Sequence, residues 1–171
     1  MKDKKQSTNL LVKATGDMKL WKKNITTLNE IEKFTVGNDR ELDIYLAPYD
    51  VLGSLAHIKM LESVGLLTLD ELNILQPALK EVYKKTQSPG FKLDDGVEDI
   101  HSQVEIMLTQ QLGDVGKKIH SGRSRNDQVL VDLKLFLRAE IEKTVINTKA
   151  LFEHLIMQSE KYKDDLLPGY T

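Results

Sequence analysis

The 171-residue chain is 40% hydrophobic and 29% charged, with 24 Lys and Arg against 26 Asp and Glu and a formal net charge of -2. Those values fit a globular protein of one or two small domains and argue against broad electrostatic binding of nucleic acid or of an anionic membrane. Cysteine is absent, which excludes disulfides, thiolate metal sites and a cysteine nucleophile. No apolar run approaches the roughly 20 residues of a membrane span, and the N-terminus lacks the apolar core of a secretory signal, so a cytoplasmic protein is expected.

Residues 1–17 are polar and lysine-rich, with one short Leu10-Leu11-Val12 patch, and read as a flexible leader or extension. Helix signals follow. Leu42, Tyr45 and Leu46 lie at helical spacing over 38–47, and Pro48 is expected to interrupt. A second helix is expected over 49–64, with Leu52, Leu55, Ile58, Met60 and Leu61 as its apolar positions and Gly65 as its stop. Thr68 followed by Glu71 is a capping-box pattern opening a helix that carries Leu72, Leu75, Leu79 and Val82, which Pro77 should kink or divide. Ser88-Pro89-Gly90 marks a turn.

Residues 98–112 read as an amphipathic helix with Val104, Met107, Leu108 and Leu112 on one face, and Gly113 to Ser124 as a loop. From Arg125 to Lys161 there is neither Pro nor Gly, and apolar residues from Val129 to Tyr162 recur near every 3.6 positions. A helix of that length spans roughly 55 Å at 1.5 Å per residue. Its stripe needs partners beyond a short chain, so self-association is expected. With no strand alternation and no repeat, the fold class is mainly α.

The densest set of reactive side chains is Lys117 to Asp127, at the mouth of the long helix. Helix N-termini carry unpaired amide donors and a partial positive charge, and with arginine and serine side chains they suit a carboxylate or phosphate. The plainer reading is a capping loop in which Ser124 or Asn126 closes the helix among solvated charges. Both stand at this point; a phosphate-cradling loop is a weaker alternative, because the GxxxxGK[ST] spacing is missing. A second group, Glu98-Asp99-Ile100-His101-Ser102-Gln103, puts two acids and an imidazole at a helix start, where acids are common for dipole reasons alone. No spacing suggests a metal site.

Gly122-Arg123-Ser124-Arg125-Asn126-Asp127-Gln128, followed by Val129 and Asp132-Leu133, resembles the first signature of the argininosuccinate lyases. Fumarases and aspartases of the same superfamily share a Ser-x-Asn-Asp core without the two flanking arginines. Lys19-Leu20-Trp21, Gly65 to Thr68 with Glu71, Glu98 to His101, Lys118 to Ser121 and Pro168 to Thr171 follow in the family's order. The resemblance covers residues 18–171, about the first third of a family chain.

It implies a fumarase/aspartase-type fold: a helical N-terminal domain over 18–124, then a central helical bundle starting at 125 and truncated at 171. It also implies homotetramers whose sites draw on three subunits, and reversible elimination of arginine from argininosuccinate to leave fumarate, within arginine biosynthesis, with no metal or organic cofactor. By resemblance Ser124, Arg125, Asn126 and Thr171 bind the substrate, while Arg123, Asp127, Asp99 and His101 support the site. In the family the residue after Thr171 is a proton-transferring histidine, and a serine on a mobile loop further along acts as base. The 171 residues alone are therefore expected to hold no catalytic proton-transfer group and to be inactive. The family's Gly-Gly-Arg-Phe is here Lys22-Lys23-Asn24-Ile25, and the loop after Glu32-Lys33-Phe34, containing Gly37, is two residues shorter. Another fumarate-producing lyase of the superfamily and a non-catalytic assembly protein are the competing readings.

Overall fold

The computed structural model describes residue 34 and residues 37–169. The expected leader, the Lys19–Ile25 segment and Tyr170-Thr171 lie outside these. Among the described residues, four α-helices and one 3-10 helix follow in order: α1 Asp39–Ser63, α2 Leu69–Thr86, α3 Ile100–Leu112, the 3-10 helix Gly113–His120, and α4 Arg125–Lys161. No strand occurs among the described residues, so the mainly α expectation is borne out. None of the described helices is long and apolar enough to cross a membrane.

The chain divides into two compact units, Met1–Leu133 and Lys134–Thr171. In the first, α3 is the buried centre. Residues 100–106 and Leu108 are all buried, polar ones included, because α1, α2 and the 3-10 helix each pack against it. Ala47, Val51, Ile58 and Leu61 of α1 meet Leu75, Leu79 and Val82 of α2 and Ile100, Val104 and Leu108 of α3, with Ile119 completing the core. At roughly 1.5–3 kcal/mol for each fully buried large aliphatic side chain, this cluster is the main favourable term holding the three helices together.

Neither proline divides its helix. Ala47, Val51, Ile58 and Leu61 form one buried stripe that runs past Pro48, and Leu75, Ala78, Leu79 and Val82 bracket Pro77 in the same way. A continuous packed face on both sides outweighs the roughly 3 kcal/mol that an interior proline costs. The stripe on α1 also differs from the expected one, since Leu42, Tyr45, Leu52 and Met60 are exposed. The Thr68–Glu71 capping box forms as its pattern predicts: Glu71 N–H donates to Thr68 Oγ1 at 3.2 Å, and Thr68 N–H to Glu71 Oε2 at 3.0 Å.

Two further boundaries differ. α3 begins at Ile100 because Asp99 leaves the helical conformation to cap it, its Oδ1 accepting from Ser102 N–H at 2.8 Å. Residues 113–120 form a 3-10 helix instead of a loop, with Gly116 and Ile119 buried. Gly116 lets this helix lie against α3: a Cβ there would stand 2.5 Å from the Leu108 carbonyl carbon. α4 has the expected bounds. Its two buried residues are both polar, Gln128 and Asp132, while Leu137, Ile141, Phe152 and Leu155 are exposed.

Candidate active site

The loop from Ser121 to Ser124 joins the 3-10 helix to α4. Gly122 turns it with φ of 70°, a left-handed conformation that disfavours side chains. On the α1 side, the His57 imidazole Nε2 lies 2.9 Å from the Ser121 carbonyl, positioned to donate to it. Ser124 then caps α4. Its hydroxyl oxygen accepts from Asp127 N–H at 3.3 Å, and Asp127 Oδ2 accepts both Ser124 N–H at 3.0 Å and the hydroxyl at 2.9 Å. These bonds, the backbone one first, hold the Asp127 carboxyl below the usual range. The capping reading of Ser124 is thus realised, and Asn126 stays exposed beside it.

The two arginines flanking Ser124 go to different helices. Arg125 NH1 pairs with Asp99 Oδ2 at 2.6 Å, with Glu98 Oε1 at 3.9 Å, and its NH2 donates to Ser102 Oγ at 3.0 Å. Asp99 therefore joins two tasks, capping α3 and orienting Arg125. Arg123 turns inward and donates from NH2 to Ser54 Oγ of α1 at 3.1 Å; its buried Nε has no hydrogen-bond partner. Burial lowers its pKa, and the charges of Asp50, Asp132 and Asp127 oppose that. Gly53 of α1 faces this approach: a Cβ there would lie 3.7 Å from Asp132 Oδ1 and 3.8 Å from Arg123 NH1, ordinary contact distances.

Behind the loop lies a buried polar cluster. Asp50 and Asp132 are each 1% exposed and His101 is 5% exposed. His101 Nδ1 stands 2.6 Å from Asp50 Oδ1, with Asp132 Oδ2 at 3.9 Å, and Gln128 Nε2 donates to the same Asp50 oxygen at 3.4 Å. Burial alone would lower the His101 pKa, but the hydrogen bond and charge of Asp50, helped by Asp99 and Asp132, raise it above the ordinary value. Burial, and then the neighbouring Asp50 charge, push Asp132 up to about 7. His101, Asp50 and Asp132 each offer an atom within 4.8 Å of the others, the composition of a cation site. The short Nδ1–H to carboxylate bond and the nearby Arg123 charge favour a shared proton there over an ion.

Of the residues singled out in the sequence, Ser124 and Asp127 meet each other, Arg125 meets Asp99, and Arg123 and His101 face the buried cluster. Thr171 lies outside the described residues. Asp50 and Ser54 escaped notice, Ser102 appeared only as part of the 98–103 segment, and Asp132 only as a motif continuation. The available signal is spacing: Asp50 and Ser54 are four apart on the face that buries Val51 and Ile58, and Gln128 and Asp132 are four apart on α4.

The family model described as Lyase matches residues 18–171. Over 153 residues, 90% of the chain, the sequence is 62% identical to the argininosuccinate lyase of Phocaeicola vulgatus and 60% identical to that of Bacteroides thetaiotaomicron. Over 158 residues it is 42% identical to the argininosuccinate lyase of Caldanaerobacter subterraneus subsp. tengcongensis. The chain spans about a third of the length of these curated relatives, 34% in each case. The resemblance carried by Gly122 to Gln128 therefore extends along nearly all of the sequence, and the chain belongs to the Lyase family.

Proposed function

We propose that the polypeptide carrying this chain is an argininosuccinate lyase, eliminating arginine from argininosuccinate to leave fumarate, and that residues 122–128 bind a substrate carboxylate. One observation carries the site: at the start of α4, exposed Ser124 and Asn126 flank Arg125 in the chain, and its guanidinium is fixed by Asp99 and Ser102. The relatives' names support the substrate.

Elimination requires a base to remove a proton next to a carboxylate, donors for the dianion that forms, and an acid for the departing guanidino nitrogen. The start of α4 fits the second task. Its partial positive charge, with Asn126 and Arg125, stabilises charge that grows as the proton leaves, so the site binds the transition state more tightly than the substrate. Ser124 joins them by exchanging its bond to Asp127 for one to substrate. No step in this scheme calls for a metal or an organic cofactor. Thr171, by resemblance, adds one hydrogen bond, and Arg123, Asp127, Asp99 and His101 act behind the contacts.

The proposal extends to domain organisation and assembly: a helical domain over 18–124, a bundle opening at 125, and a cytoplasmic homotetramer. Exposed Leu137, Ile141, Val145, Phe152 and Leu155 on α4 support the assembly. The test is fumarate release from argininosuccinate, followed by ultraviolet absorbance, with the full-length polypeptide. No turnover, or a preference for adenylosuccinate or malate, rejects the proposed substrate.

A further inference from the structure

The first two turns of α4 are held to the domain in an unusual way. Their buried residues are Gln128 and Asp132, and their neighbours Val129 and Leu130 are exposed. The attachment is therefore polar, and polar contacts, unlike an apolar face, fix direction as well as proximity. Three helices contribute to it in a repeated pattern. α1 supplies Asp50 to the cluster and, one turn on, Ser54 to Arg123. α3 supplies His101 to the cluster and the adjacent Ser102 to Arg125. α4 supplies Gln128 and Asp132, one and two turns beyond the capping Ser124.

We propose that Asp50, His101 and Asp132 are positioning residues for the carboxylate-binding loop, a buried clamp that fixes where Ser124, Arg125 and Asn126 stand. The proposal rests on the lyase reading above. None of the three reaches the exposed face of the loop; they act through the helices that hold its arginines. Asp50 Oδ2 and Asp132 Oδ2 are buried without a hydrogen-bond partner, so the clamp is set by charge balance as much as by bonds. The groups facing it are Asp43 and Asp50 from α1, Asp99 capping α3 and His101 within it, Arg123 from the loop, and Asp132 from α4. With His101 charged and a proton on Asp132, the imidazolium and Arg123 face a single ionised carboxylate at the centre, Asp50. Loss of the Asp132 proton sets a second negative charge against Asp50 and loosens the hold on α4.

Two measurements test this. In the chain itself, long-range proton–nitrogen NMR of the four histidines reads the clamp without any activity. His101 should keep a proton on Nδ1 and titrate above an ordinary histidine, and Asp50→Asn should bring that titration down. An ordinary or depressed titration in the unaltered chain overturns the clamp.

In the full-length polypeptide, Asp132→Leu should raise KM for argininosuccinate about tenfold or more with a smaller change in kcat, as expected when substrate positioning is lost. Asp132→Asn, which keeps the shape and the neutral form, should recover most of that KM and move the pH dependence near neutrality. Equal KM in all three proteins, with only thermal stability altered, reduces the cluster to a structural role and overturns the proposal. If the unaltered polypeptide does not cleave argininosuccinate, the lyase reading fails, and the histidine titration still decides whether the clamp exists.

Discussion

Replacing Gly116 by alanine tests how tightly the 3-10 helix is locked to α3, and through it the loop that follows. The added Cβ would lie 2.5 Å from Leu108 C, 2.6 Å from Leu108 O and 2.6 Å from Thr109 N. Carbon atoms prefer about 3.5–4.0 Å, so the two helices must separate by about 1 Å. α3 cannot yield, because Leu108 sits within a helix buried on nearly every side. The movement therefore falls on the 3-10 helix, which also carries the core residue Ile119. Overpacking costs typically 1–3 kcal/mol, and partial exposure of Ile119 adds to it, so about 3 kcal/mol is expected. For a chain of this length that is a fall in Tm of roughly 6–12 °C.

Gly53→Ala is the control with the opposite sign. Its Cβ would meet Val131 Cγ1 at 3.4 Å, near ordinary contact, and alanine in mid-helix is favoured over glycine by about 0.5–1 kcal/mol. Urea denaturation followed by far-ultraviolet circular dichroism reads both. A Gly116→Ala protein within about 0.5 kcal/mol of the unaltered chain would mean that the close approach is not a constraint. Equal losses from the two substitutions would refute the argument just as well.

The pH dependence of stability follows from the buried cluster. Asp132 is raised to about 7 in the folded chain, so its contribution is fully present below the unfolded value near 3.8 and is lost as pH rises to about 7. His101, also raised, loses its contribution from about pH 6.5 upward. Asp132→Asn should flatten this slope, gaining on the order of 1–2 kcal/mol relative to the unaltered chain between pH 5 and 7, measured by urea midpoints; parallel profiles would contradict it. Ser124→Ala removes the α4 cap and should cost about 1 kcal/mol locally, seen as faster amide exchange at residues 126–128. Leu79→Ala, at a fully buried position, should cost about 2–5 kcal/mol in the same denaturation assay.

Some of this structure is legible in the residues because it is set locally. The Thr68–Glu71 box completes itself within one turn, and α4 runs unbroken where neither proline nor glycine intervenes. The prolines mislead for the converse reason. Pro48 and Pro77 weaken a helix locally, but the stripes through Val51 and Leu75 are completed by other helices, and tertiary burial decides. Leu42 and Tyr45 mislead in the same way, since helical spacing identifies a face without saying what covers it. Gly113 to Ser124 reads as a loop because it is glycine-rich, yet Gly116 is there to admit the α3 backbone.

The candidate site divides along the same line. Its outward half, Ser124 to Asp127, is contiguous, and a motif exposes it to inspection. Its inward half is built from Asp50, Ser54, His101, Ser102 and Asp132, which share no segment and meet only after three helices pack. Polar residues at core positions of an amphipathic pattern weaken the apolar signal, so the stretch that builds the clamp is the one where periodicity is least clear: α3 is buried at Ile100 and Val104 but equally at His101, Ser102 and Gln103. A buried polar group without a partner costs free energy, so each such residue on a core face demands a counterpart elsewhere. Asp50 with Ser54, and Gln128 with Asp132, are two such demands, each four residues apart; Gln128 answers Asp50, and Arg123 answers Ser54. Pairing polar interruptions across separate helical stripes is thus a way to locate the support of a site whose contact residues a motif has already given.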